Sequence, residues 1–236
     1  SLGGGVGISS RNTCLIANNS LQASGEAIGA GDSNTITGNR IFGGQAGLAV
    51  VNANLIGGVS PQDRNVIGGC IVGLSLGGTD NTVIGNYVGV DTGGNAARPN
   101  HIGIVMANVG NVIGGSTSAE RNIISGNVSL GVEAAGTNNT VKGNYIGIGA
   151  DGATGIPNGI GVKMDGAGVI GGDSPGERNI ISANGTGVSL GKDPDGNSAV
   201  VLKGNYIGTD VAGTGLKGNT GAGVTITSEG HRVEHN

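Results

Sequence analysis

Apolar residues in this chain come in runs of three to six that alternate with small or polar residues and stop at glycine or asparagine. Such runs predict short β-strands punctuated by turns. No window keeps apolar residues at helical spacing, and a glycine every four or five residues would cost a helix about 1 kcal/mol each. Helices are therefore excluded almost everywhere.

The runs repeat. A start of the form Gly, apolar, any, apolar occurs nine times, from Gly5, Gly25, Gly47, Gly73, Gly103, Gly131, Gly161, Gly187 and Gly223, at spacings of 20 to 36 residues with a mean near 27. A second apolar segment follows each start, as in TCLIANN from Thr13, TVIGN from Thr82 and RVEHN from Arg232. A third alternates between two forms. One is RNVIGG from Arg64, RNIISGN from Arg121 and RNIISAN from Arg178; the other is NYVG or NYIG from Asn86, Asn144 and Asn205. The Arg-Asn copies lie 57 residues apart, so the true unit is a pair of turns.

Three short strands in about 27 residues cannot close a core alone, but stacked coils pair each strand in parallel with its copies above and below. The pattern thus predicts an all-β, three-faced parallel β-solenoid of about nine coils, one domain over residues 1–236. Eight intervals at the strand spacing give a rod about 38 Å long. One inward column is expected from Val6, Leu48, Leu74, Ile104, Val132, Val162, Val188 and Val224. A second is expected from Ile8, Ile28, Val50, Leu76, Met106, Ala134, Met164, Leu190 and Ile226, with one of the two facing outward at some coils. Gly and Asn suit sharp corners through left-handed backbone angles. Asn39, Asn86, Asn144, Asn205 and Asn236 occupy one slot, from which their amides could hydrogen-bond along the column.

NVIGGSTSAERNIISGN followed by GTNNTVKGNYIG resembles the repeat of bacterial and archaeal right-handed parallel β-helix proteins, especially large secreted or surface-displayed ones whose repeats read IGG…RN.ISGN…GNYIGT. The likeness covers nearly the whole chain, most strongly from Gly47 to Gly223. It implies a right-handed helix and an extracellular or cell-surface location. It is specific for fold and unspecific for activity, because relatives of that fold include pectate lyases, polygalacturonases, alginate epimerases, phage tailspikes and adhesins.

Composition narrows the partners. Of 236 residues, 53 are Gly and 26 are Asn, charged residues make up 12% and aromatics 2%. Disorder through high charge is excluded, and no Gly-X-Y triplet supports collagen. A net charge of −4 offers no basic patch for nucleic acid. No apolar run approaches the ~18–20 residues of a membrane helix. The start SLGGGVGISS lacks signal-peptide regions, and the chain stops at EHN within a coil. These boundaries suggest an excerpt lacking one or both caps, whose ends meet a copy of itself or a neighbouring domain.

Candidate chemistry is sparse. Asp91, Asp151 and Asp210 recur after the Asn-Tyr strand and read as turn residues. Asp63-Arg64, Glu120-Arg121 and Glu177-Arg178 also recur, whereas a catalytic set occurs once. They read as a surface ladder of ion pairs, with anion or polysaccharide binding by the arginine row as the alternative. His231 and His235 lack a nearby third metal ligand, and the GGxGxD calcium nonapeptide is absent, so neither a metal nor another cofactor is indicated; Ca²⁺ is unsupported. Cys14 and Cys70 lie too far apart to bridge and read as small core fillers. The expectation is a noncatalytic structural or adhesive module that assembles end to end or side by side into a surface filament or sheath. The alternative is a polysaccharide lyase, epimerase or glycosidase, or a glycan-binding module, and its weak catalytic candidates are Arg98, His101 and Asp91 in one loop region.

Overall fold

The computed structural model describes residues 7–197 and 199–236, so Val6 and the start of the first repeat at Gly5 lie outside the described residues. The strands are short and pair in parallel, in a 16-stranded and an 8-stranded curled sheet. Three vertical stacks result, the arrangement of a parallel β-solenoid. The first runs from Ile8–Ser10 through Glu26–Ala30, Ala46–Val50, Val72–Leu76 and Ile102–Met106 to Val224–Ile226. The second runs from Leu15–Ala17 to Arg232–Glu234, and the third from Ser20–Gln22 to Tyr206–Ile207.

Two runs exceed the expected strand length. Leu130–Val141 and Ile160–Gly171 carry their pairing around the corner between the first and second stacks, with a register shift between Thr137 and Asn139. Two single 3₁₀ turns, Pro61–Asp63 and Pro175–Glu177, are the helical segments among the described residues.

Each stack sends one set of side chains inward. In the first, Ile8, Ile28, Leu48, Leu74, Ile104, Val132, Val162, Val188 and Val224 share one column. The neighbouring column reads Ser10, Ala30, Val50, Leu76, Met106, Ala134, Met164, Leu190 and Ile226. Ile8 and Ile28 therefore belong with Leu48, not with Val50. In the early short coils the position equivalent to Gly47 is Ala27, two residues past Gly25; a slip of two keeps the face but changes the column. Both columns face inward, and Ile104 and Met106 are fully buried. Each such side chain contributes about 1.5–3 kcal/mol by leaving water.

The glycines of the first stack serve close approach. A Cβ on Gly103 would lie 2.4 Å from the carbonyl oxygen of Gly131 and 2.9 Å from Asn127 Nδ2. Corner glycines such as Gly85 and Gly143, both at φ +70, do have the left-handed backbone expected of a tight turn.

Asparagines line three corners. The slot expected to hold Asn39, Asn86, Asn144, Asn205 and Asn236 also holds Asn65, Asn122 and Asn179, which supply the alternate rungs. At each rung the backbone N–H and the Nδ2 donate to Oδ1 of the next asparagine, while Nδ2 also donates to a carbonyl, as Asn122 does to Asn144 and to Val83. A second ladder joins Asn34, Asn54, Asn81, Asn111 and Asn139. A third joins Asn100, Asn127, Asn158, Asn184 and Asn219, passing through the space that the first-stack glycines leave. Among the described residues no buried side-chain nitrogen or oxygen is without a partner.

Candidate functional site

The outer surface of the third stack carries most of the side chains capable of chemistry. Its outward column reads Arg40, Val66, Tyr87, Ile123, Tyr145, Ile180 and Tyr206. Val66, Tyr87, Ile123 and Ile180 are nonetheless buried. Val90 and Ile156 join Val66, Tyr87 and Ile123 in an apolar cluster outside the solenoid core, with Phe42, Tyr145 and Ala150 packed against it.

Hairpin loops cover this cluster. Antiparallel bridges close them at Val90 with Ala97, Ile148 with Gly155 and Thr209 with Leu216. Asp91, Asp151 and Asp210 organise the loops, as the sequence suggested. Asp91 Oδ1 accepts from the backbone N–H of Asn95 and Ala96, Asp151 Oδ1 from Ala153 and Thr154, and Asp210 Oδ1 from Thr214. The Thr154 hydroxyl and backbone bonds hold the Asp151 carboxyl at about 2. The loops also stack: Ala150 N–H donates to the Gly94 carbonyl, Asp151 N–H to Asn95 Oδ1, and Lys217 Nζ to the Ala153 carbonyl.

The acid-arginine pairs do not form an ion-pair ladder. Asp63, Glu120 and Glu177 turn back onto the backbone N–H groups of Ser60, of Ser116 and Thr117, and of Ser174. Hydrogen bonding at Thr117 lowers the Glu120 pKa, and the Lys142 ammonium, 3.0 Å away, does the same for Glu177. The turn geometry consumes the carboxylates, which frees the arginines for a different partner. Arg64 lies 4.0 Å from the centroid of the Tyr87 ring, Arg121 4.1 Å from Tyr145, and Arg178 4.0 Å from Tyr206. Their Nε atoms donate to the carbonyls of Gly85, Gly143 and Gly204. A fourth stack, Arg98 over Phe42 at 4.0 Å, joins a residue at the end of a hairpin loop to an aromatic of an earlier coil. Sequence reasoning missed these stacks, although each Arg-Asn string is followed one coil later by an Asn-Tyr string.

The weak catalytic candidates are not assembled. Arg98 is held against Phe42, the Asp91 carboxylate caps its own loop, and His101 is exposed. Among the described residues no hydrogen bond or ion pair joins the three side chains. His231 bonds through Nδ1 to Val200 N–H and through Nε2 to Ser228, and burial lowers its pKa; no group of three or more potential metal ligands occurs among the described residues. Cys70 is a buried core filler whose thiol burial pushes up to about 11. Cys14 is exposed instead, in the corner just before the strand Leu15–Ala17.

A concave site of about 340 Å³ opens beside Arg64, lined by Asn18, Gly38, Arg40, Pro61, Gln62, Arg64, Val66 and Thr92. A larger, shallower groove of about 510 Å³ crosses the outer second stack, among Leu15, Ala17, Thr35, Thr37, Leu55, Val59 and Ile84. Among the described residues no helix is long and apolar enough to cross a membrane. A scan against protein-family models and searches of curated proteins and of solved structures return no match to this chain.

Proposed function

We propose that the chain is a noncatalytic structural or adhesive module, displayed extracellularly or at a cell surface, and built as a right-handed parallel β-helix of nine coils. It associates with copies of itself or with neighbouring domains. One observation carries this reading: the recurring asparagines and carboxylates are spent on the rod. The amides of three asparagine columns bond along the stack, and the recurring carboxylates cap turns. A scaffold so constructed resists bending because every coil is tied to the next through side chains as well as through the strand ladder.

Exposed apolar side chains supply surface for lateral contact: Leu15 is 70% exposed, Val128 64%, Val59 60% and Leu216 92%. The likeness of the repeat to secreted β-helix proteins favours the right-handed path and the surface location.

Light scattering across a concentration series, with electron microscopy of the same samples, tests the assembly. Growth into fibres or sheets is expected; a particle that stays monomeric at every concentration sinks the self-associating version. Uronate polymers incubated with the protein should gain neither the absorbance of an unsaturated product nor reducing ends. A gain of either overturns the noncatalytic reading.

A further inference from the structure

The cavity beside Arg64 differs from the rest of the third stack. Arg64, Arg121 and Arg178 repeat on alternate coils, but Arg40 occurs at the outward position of only one, where it pairs in register with Val66. Two arginines, Arg40 and Arg64, therefore line the site. Its lining contains no carboxylate: Asn18, Gln62 and Thr92 supply amide and hydroxyl groups, and the remaining residues are Gly38, Pro61 and Val66. Two acids adjoin lining residues in sequence: Asp63 lines the groove on the other side of the corner and accepts from Ser60 N–H, and Asp91 Oδ1 accepts from the N–H groups of Asn95 and Ala96.

The Arg64 fork is also fixed before any ligand arrives. The Tyr87 ring at 4.0 Å holds its plane, and Nε donates to Gly85 O at 3.2 Å. No ion pair engages Arg40 or Arg64 among the described residues, which leaves both Nη groups of Arg64 as donors. A guanidinium fork matches the paired oxygens of a carboxylate or sulfate. Preorganisation lowers the ordering cost that a free arginine would impose on binding. The volume lies at the lower end of the range for small-ligand sites, roughly 300–1,000 Å³.

We propose that this cavity is a binding subsite for an acidic sugar, taking the carboxylate or sulfate group of an anionic glycan between Arg40 and Arg64. The subsite does not depend on self-association, because all of its lining residues belong to one chain.

Calorimetric titration of the full chain tests it, with tetragalacturonate, a heparin-derived tetrasaccharide, neutral maltotetraose and inorganic sulfate as probes. At least one of the two anionic oligosaccharides should bind saturably, and added salt should weaken it. Maltotetraose should not bind. Arg40→Gln, at an exposed position, should weaken the anionic oligosaccharide about tenfold or more. Arg64→Lys should weaken it similarly, since an ammonium keeps the charge but loses the fork, while the melting temperature of each variant reports on folding. The proposal is overturned if neither acidic oligosaccharide binds, if maltotetraose binds equally, or if Arg40→Gln leaves the affinity unchanged. Inorganic sulfate binding as tightly as the oligosaccharides would overturn the sugar assignment.

Discussion

Replacing Asn122 with alanine removes one rung from the middle of the longest asparagine ladder. In the native chain Asn122 Nδ2 donates to Asn144 Oδ1 at 2.9 Å and to Val83 O at 2.9 Å. Its Oδ1 accepts from Asn86 N at 2.9 Å and from Asn86 Nδ2 at 3.2 Å. Alanine deletes all four bonds while the backbone bond from residue 122 to Asn144 Oδ1 can remain. The buried Asn86 backbone N–H then loses its partner, whereas the Val83 carbonyl still accepts from Gly114 N–H. An unsatisfied buried group costs about 1–3 kcal/mol, and that sets the predicted loss. Urea denaturation followed by circular dichroism measures the loss, and hydrogen exchange at the Asn86 amide locates it. Asn108→Ala is the reference, because Asn108 is only half-buried and its side chain makes a single bond, to the Gly77 carbonyl. A loss below about 1 kcal/mol for Asn122→Ala, or one no larger than the reference, would refute a structural role for the ladder.

Three further outcomes follow from the same geometry. A double-mutant cycle on Arg121→Ala and Tyr145→Phe or Ala should show a coupling of about 0.5–2 kcal/mol for the alanine pair and most of it retained with phenylalanine, because the ring face carries the attraction. Additive alanine variants would remove the stacking argument. The depressed carboxyls of Asp151, Glu120 and Glu177 stabilise the folded state above their ordinary values and lose that effect as pH falls through the folded ones. For Asp151 the window runs from the ordinary 3.8 down to about 2, so Asp151→Asn should flatten the fall in melting temperature there; an unchanged profile contradicts the assignment. A thiol reagent at neutral pH should label one cysteine in the native protein, the exposed Cys14, and two after denaturation, whereas rapid native labelling of Cys70 would mean that its coil opens.

The sequence by itself determined the strand content, the repeat and its doubled period. These depend on local alternation of apolar and small residues, and on glycine and asparagine at turns, which are properties of neighbouring residues. It also located the turn-forming role of Asp91, Asp151 and Asp210, since an aspartate bonds to N–H groups within a few residues of itself. Tertiary structure decided the vertical partners. Coils of unequal length place Ile28 over Leu48, and insert Asn65, Asn122 and Asn179 between the asparagines that a single-coil repeat picks out. Which neighbour an arginine takes was equally invisible: Glu120 sits beside Arg121 in sequence but bends onto Thr117, while Tyr145 arrives from the next coil. Arg40 and Arg64 meet at one cavity for the same reason. Stacking converts a separation along the chain into adjacency, and only the register of the coils states which residues it joins.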